Sequence, residues 1–299
     1  MATTNIMTDL KEKFVRGNIC LRLVYINVGI FVLYMLMEVL LTLFNVGMDN
    51  VVEWVELPAA PARFLIQPWS LITYMFMHSG VLHILFNMLW LYWFGTLFLQ
   101  FFSAKHLRGL YLLGGICGGL LYMAAYNVFP YFAPMVNYSF MVGASASVLA
   151  IVVAAAYREP EYPIQLLLFG TVRLKYLALI VVGLDLLFIT SSNAGGHIAH
   201  LGGALAGFCF AAGLHKGHDL TVWINKACDV LFSLFVSASR KPKMKVHYNS
   251  NYRQKDYDFN ARKKAQNAEI DRILDKLKKS GYDNLTTEEK KSLFDASKR

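Results

Sequence analysis

The first 215 residues hold very little charge. Only ten of the 29 Lys and Arg fall there, with nine of the 20 acids. A soluble core of that size needs far more charged surface, which excludes an ordinary soluble domain. Cysteine is scarce as well. Cys20, Cys117, Cys209 and Cys228 form no C-x-x-C pair, and three of them lie in or beside apolar segments. That excludes a disulfide framework and points to reduced, packed thiols. No H-E-x-x-H occurs, so the helix-borne zinc-protease signature is missing. The stretches 128–140 and 192–196 carry no charge at all.

What is present is apolar length. The chain is 56% hydrophobic, and a membrane span needs about 20 apolar residues. Six candidates follow one another: 23–44, 81–101, 108–127, 141–157, 174–191 and 197–215. The first is too long for the apolar part of a signal peptide, and no small-residue cleavage site follows it. Basic residues fall on alternate connections: Lys11, Lys13 and Arg16 before the first run, Lys105 and Arg108 after the second, and Arg158, Arg173 and Lys175 after the fourth. Lys and Arg stay on the cytoplasmic side. The expectation is an all-α, polytopic bundle of six transmembrane helices with both termini cytoplasmic, in the cell's inner membrane. Its parts are a cytoplasmic arm (1–19), the membrane domain (20–216), an amphipathic segment with a basic linker (217–266), and a small helical hairpin (267–299).

The net charge of +9 comes from the tail, where 19 of the 29 basic residues lie from Lys216 onward. Such a tail is attracted to anionic headgroups, and nucleic-acid binding is not needed to explain it. Leu220 to Val236 reads as an amphipathic helix on the inner surface, and 240–266 as a flexible linker. Ile270, Ile273, Leu274 and Leu277 mark one helical face. Gly281 is placed to stop that helix, and Thr286-x-x-Glu289 is a capping box that opens another. The hairpin's partner is unknown.

The first outer connection, 48–70, mixes Val51, Trp54 and Leu57 with acids and then Pro58, Pro61 and Pro68. An interfacial segment with Trp54 and Trp69 at headgroup depth fits this better than a disordered loop. Two acids lie inside spans, Glu38 and Asp185. Both are expected near the outer helix ends, within reach of water and making bundle-facing hydrogen bonds. Whether Asp185 reaches His200 is open at this point.

Chemistry is suggested by coincidence of depth. On the six-span topology, spans two, four and six all enter from the outside. His83 and Asn87 then lie in the first two turns of span two, Ser145 in the first turn of span four, and His200 in that of span six. Ionisable residues at membrane depth are functional candidates. Gly143, Ala144 and Ala146 keep span four thin around Ser145. Gly202, Gly203 and Gly207 do the same for span six. A serine hydroxyl needs a base, and neutral imidazole serves near pH 7. His83, Asn87 and the Ser145 amide offer N–H donors to a developing oxyanion, and His78 lies just before span two. Two other readings stay open. His78, His83, His197 and His200 offer a zinc set, though no acid lies in these motifs. A bundle held together by polar contacts needs no chemistry; Ser147 fits it, with its hydroxyl bonding back to its own helix.

At these residues the chain resembles the rhomboid family of intramembrane serine proteases, over about residues 20–215. The family's H-x4-H-x3-N appears as His78, His83 and Asn87. Its G-x-S-G appears as Gly143-Ala144-Ser145-Ala146, and its A-H-x-x-G-x-x-x-G runs from Ala199 and His200 through Gly203 to Gly207. The tail is similar to tails on some bacterial rhomboids. The resemblance implies a Ser145–His200 dyad with no third acid, and an oxyanion site from His83, Asn87 and the Ser145 amide. It also implies a water-filled cavity open to the outer face. Two departures stand out. Ala146 replaces the usual glycine, which is costless if span four begins there as a helix. The family's Trp-Arg pair in the first outer loop is absent. The expected function is cleavage of transmembrane protein substrates in the bilayer, without cofactor or metal. A catalytically inactive rhomboid-like binder of membrane helices is the alternative.

Overall fold

The structure, a computed structural model, describes residues 17–166, 170–235 and 250–297. Nearly all of the expected N-terminal arm, and 240–249 of the expected linker, lie outside the described residues. The chain divides into two compact units, Met1–Ser237 and Ala238–Arg299.

The first unit is a helical bundle. Four of its helices are long and apolar enough to cross a membrane: α1 (Ile19–Leu43), α2 (Val81–Phe101), α3 (Ala104–Val128) and, later in the chain, α6 (Ala194–His215). Between α3 and α6 come α4 (Ser145–Arg158) and α5 (Leu174–Leu187), apolar helices of 14 residues each. At 1.5 Å per residue, 14 residues reach about 21 Å, against roughly 30 Å of hydrocarbon. Helix α4 is buried almost all round, from Ala146 to Val152 and again at Ala154, Ala155 and Ala156. A helix that is apolar on every face belongs in the middle of a bundle. Helix α6 packs against α3, α4 and α5.

The contacts of α6 are backbone-close because of its glycines. A methyl group at Gly203 would overlap the Ala146 carbonyl oxygen, and one at Gly207 would overlap that of Ala150. At Gly202 it would stand 2.7 Å from the Cys117 carbonyl oxygen on α3. In lipid, where apolar burial drives little helix association, such close packing is what holds helices together. Gly118 on α3 plays the same part for Ala146, whose Cβ would lie 2.7 Å from a methyl there.

The connection between α1 and α2 is folded. Strand β1 (Leu57–Pro58) pairs antiparallel with β2 (Phe140–Met141), and Leu57 is fully buried. Pro61–Ile66 and Ser70–Thr73 are short helices. Trp54 and Trp69 stack at 6.0 Å, and the Trp69 indole N–H donates to the Trp54 carbonyl at 2.8 Å. Both rings are half exposed. Arg63 pairs with Glu53 and lies over the Phe140 ring at 4.7 Å. The segment thus docks without the family's Trp-Arg pair.

Strands β3 (Pro163–Leu166) and β4 (Gly170–Arg173) form a small hairpin between α4 and α5. Helix α7 (Val222–Phe235) follows α6. Arg108 on α3 holds it by bonds to Asn225 Oδ1 (2.9 Å) and Asp229 (2.7 Å). Trp223, Val230, Leu231 and Phe232 are exposed.

The second unit is α8 (Ser250–Ser280), a 3-10 turn at Tyr282–Asn284, and α9 (Thr287–Ser297). Helix α8 begins well before the expected boundary at 267. The stretch 250–266 contains no Gly or Pro and so offers nothing to break a helix. Gly281, at φ 77°, ends α8. Thr286 and Glu289 cap α9 reciprocally, with the Glu289 N–H on Thr286 Oγ1 at 3.3 Å and the Thr286 N–H on Glu289 Oε2 at 2.9 Å.

Candidate active site

The short helix α4 decides where Ser145 sits. A helix of about 21 Å cannot cross the hydrocarbon core, so one end of it lies inside the bundle. Strand β2 (Phe140–Met141) leads to Ser145 through residues 142–144 and is held by the connection between α1 and α2. Besides the β1–β2 pairing, the Gly143 N–H donates to the Tyr74 carbonyl at 2.9 Å. Gly143 itself has φ 126°, a conformation that suits glycine. Ala146 lies within α4 and is not among the residues with positive φ, so its Cβ brings no backbone strain.

Above Ser145 is a cavity of about 660 Å³, lined among others by Ser79, His83, Asn87, Tyr122, Ser145 and His200. A second, apolar one of about 220 Å³ adjoins it and is lined by Asn87, Trp90, Ser145, Val148, Val181 and His200. Ser145, Asn87 and His200 therefore face the same space from α4, α2 and α6. The Ser145 hydroxyl and the His200 ring are not hydrogen-bonded to each other here.

His83 reaches the cavity from the first turn of α2. Its Nδ1 lies 3.4 Å from the Ser79 backbone N–H and 3.0 Å from Ser79 Oγ. A backbone N–H only donates, so Nδ1 accepts and the proton sits on Nε2. A methyl at Gly143 would come 2.9 Å from that Nε2 and 3.6 Å from Ser145 Oγ. The glycine thus keeps open the gap between donor and hydroxyl. One Asn87 Nδ2 proton goes to the His83 carbonyl at 2.9 Å, which leaves the other for the cavity.

His78 is buried. Its ring packs edge-on against His83 at 5.2 Å, and neither ring nitrogen has a partner of hydrogen-bond geometry among the described residues. Ser147 departs from expectation. Its Oγ is buried and makes no bond back to its helix, nor any other among the described residues.

On the far side of His200 stands Asp185, in the last turn of α5. It is only 4% exposed, so it does not lie at a water-reached helix end. Its Oδ1 is 2.8 Å from His200 Nδ1 and 2.8 Å from His197 Nδ1. These three ligand atoms lie within 4.8 Å of one another. The four-histidine zinc set does not assemble in the same way: His78 contacts His83, and His197 contacts His200. Ser79, Tyr122 and Tyr126 line the cavity without belonging to any of the sequence motifs, and Asp185, expected only as an acid inside a span, reaches His200.

A family model, the Rhomboid domain, matches residues 66–217, half of the chain. The chain belongs to the rhomboid family. Its multi-pass membrane character follows from the apolar helices and that domain. Among curated proteins, this rhomboid chain is 28% identical over 211 residues to RHOMBOID-like protein 12, mitochondrial, of Arabidopsis thaliana. The match covers 67% of this chain and 59% of the relative, so the chain spans about three fifths of that protein's length. The tail of this rhomboid, residues 253–299, matches a second model, Family of unknown function (DUF6576).

Proposed function

We propose that this rhomboid is an intramembrane serine endopeptidase that cuts transmembrane protein substrates. One observation carries the reading: Ser145 and His200 open onto the same cavity together with His83 and Asn87, from three different helices. In the proposed reaction His200 takes the Ser145 hydroxyl proton as Oγ attacks the substrate carbonyl. It then gives that proton to the leaving amine. Water hydrolyses the acyl-enzyme by the same steps in reverse. His83 Nε2–H, the free Asn87 N–H and the Ser145 backbone N–H receive the oxyanion. Apo enzymes often hold such contacts open until substrate binds, which accommodates the unmade bond between Ser145 and His200.

The substrate class follows from the site's depth. A helix hides its carbonyls in hydrogen bonds, so the cut is expected where a transmembrane segment unwinds, at a small residue. The basic connections favour cytoplasmic termini in the inner membrane. No cofactor takes part in these steps, and no nucleic acid.

The second reading, a non-catalytic binder of membrane helices, is favoured by the same unmade bond. Reconstitution separates them. Proteoliposomes with a model transmembrane substrate should give one mapped cut, lost in Ser145→Ala and in His200→Ala. Binding of the substrate without any cut in the wild type would establish the second reading.

A further inference from the structure

The feature that the dyad leaves unused is Asp185. Its carboxylate is buried between α5 and α6, and both Nδ1 atoms of His197 and His200 converge on one oxygen, Oδ1, at 2.8 Å. The other oxygen, Oδ2, is buried without a partner among the described residues. His197 and His200 are three residues apart on α6 and so share one face. The Phe188 ring packs against His197 at 6.0 Å.

An ionised carboxylate only accepts hydrogen bonds. Each histidine in contact with it therefore carries its proton on Nδ1. For His200 this leaves the Nε2 lone pair free, and Nε2 is the nitrogen a general base needs. We propose that Asp185 is a positioning residue: it fixes the tautomer and ring plane of His200 and stabilises the imidazolium formed when Nε2 takes the Ser145 proton. His197 is the second donor that holds the carboxylate in place. The inference rests on the reading of His200 as the base. It replaces the two-residue machinery implied by the family resemblance with a series, Ser145–His200–Asp185. No proton passes to Asp185; the proton moves from Ser145 Oγ to His200 Nε2 and on to the leaving amine.

A metal in this cluster fits the geometry less well. Zinc ligands sit about 2.0–2.2 Å from the ion, whereas here both imidazoles touch the carboxylate directly at hydrogen-bond distance. A tie between α5 and α6 with no catalytic effect is the other rival.

The test uses the full chain in proteoliposomes with a transmembrane substrate, measuring kcat/KM against pH and the rate of labelling at Ser145 by a fluorophosphonate. The groups facing His200 are Asp185 from α5, His197 from α6 itself, and His83 from α2; Tyr122 and Tyr126 of α3 line the same cavity. Asp185→Asn should lower kcat on the order of 10²- to 10⁴-fold, as loss of the third triad member does elsewhere. It should also move the acid limb to lower pH, because an imidazolium beside a neutral amide gives up its proton more readily. A tie between helices would not move that limb. Asp185→Glu keeps the charge and should leave the limb near its wild-type position even if the rate falls or part of the protein misfolds. Asp185→Asn with wild-type kcat and an unmoved acid limb would overturn the proposal. So would wild-type cleavage that a chelator abolishes and Zn²⁺ restores. A wild-type chain that neither cuts nor labels would remove the proteolytic reading, and this inference with it.

Discussion

Gly143 carries two constraints at once. Its φ of 126° strains any side chain, and a methyl there would fill the gap between His83 Nε2 and Ser145 Oγ. Gly143→Ala should therefore lower stability by about 1–3 kcal/mol and cut kcat with it, read from thermal melts and cleavage rates. On the proposed mechanism His83→Ala removes one oxyanion donor and should lower kcat about 10²- to 10³-fold with little change in KM. Ser79→Ala removes only the hydroxyl at Nδ1 and should cost about 1 kcal/mol, roughly fivefold in kcat. A loss of His83→Ala size in Ser79→Ala would give the hydroxyl a larger part. At this scale the motif residues stand out in the sequence by their spacing, and His83, Asn87, Ser145 and His200 line one cavity. The Ser79 contact was not legible there, since it depends on how the chain turns into α2. Nor was the Asp185 contact: 12 and 15 residues separate it from His197 and His200, with a break between helices, and no helical period spans that break.

At the scale of elements, the glycines of α6 and the shortness of α4 set the site's depth. Gly207→Val should push α6 off the Ala150 carbonyl and lower the melting temperature of the first unit without removing any polar group of the site. An unchanged melt would mean that the helices are not in backbone contact. Helix positions in the bundle were legible from apolar length alone. The folding of 48–76 was not, because its strand partner lies some 80 residues away at Phe140–Met141. The start of α8 was misplaced because charge was read as a linker, although charged residues without Gly or Pro also make solvated helices. In the tail, the Lys276 ammonium, 2.9 Å away, and the Thr286 N–H hold the Glu289 carboxylate at about 2. A depressed carboxylate stabilises above the unfolded value, about 4.3, and that stability is lost as pH falls from there toward 2. The protection of α9 amides against hydrogen exchange, relative to the unfolded chain at the same pH, should therefore fall over that window, and Glu289→Gln should flatten the dependence.

For the whole molecule, charge and apolar length point to a membrane part and a hydrophilic tail, with a boundary expected at 216, whereas the compact units are Met1–Ser237 and Ala238–Arg299. The geometry that the proposed reaction uses lies in the first unit: four groups from three helices around one cavity of about 660 Å³. The most direct test is mass spectrometry of the reconstituted chain after fluorophosphonate treatment. A single adduct is expected on the peptide containing Ser145, none in Ser145→Ala, and a rate at least about 10²-fold lower in His200→Ala. Absence of any adduct in the wild type, an adduct at another serine, or labelling of His200→Ala at the wild-type rate would contradict the proposed mechanism.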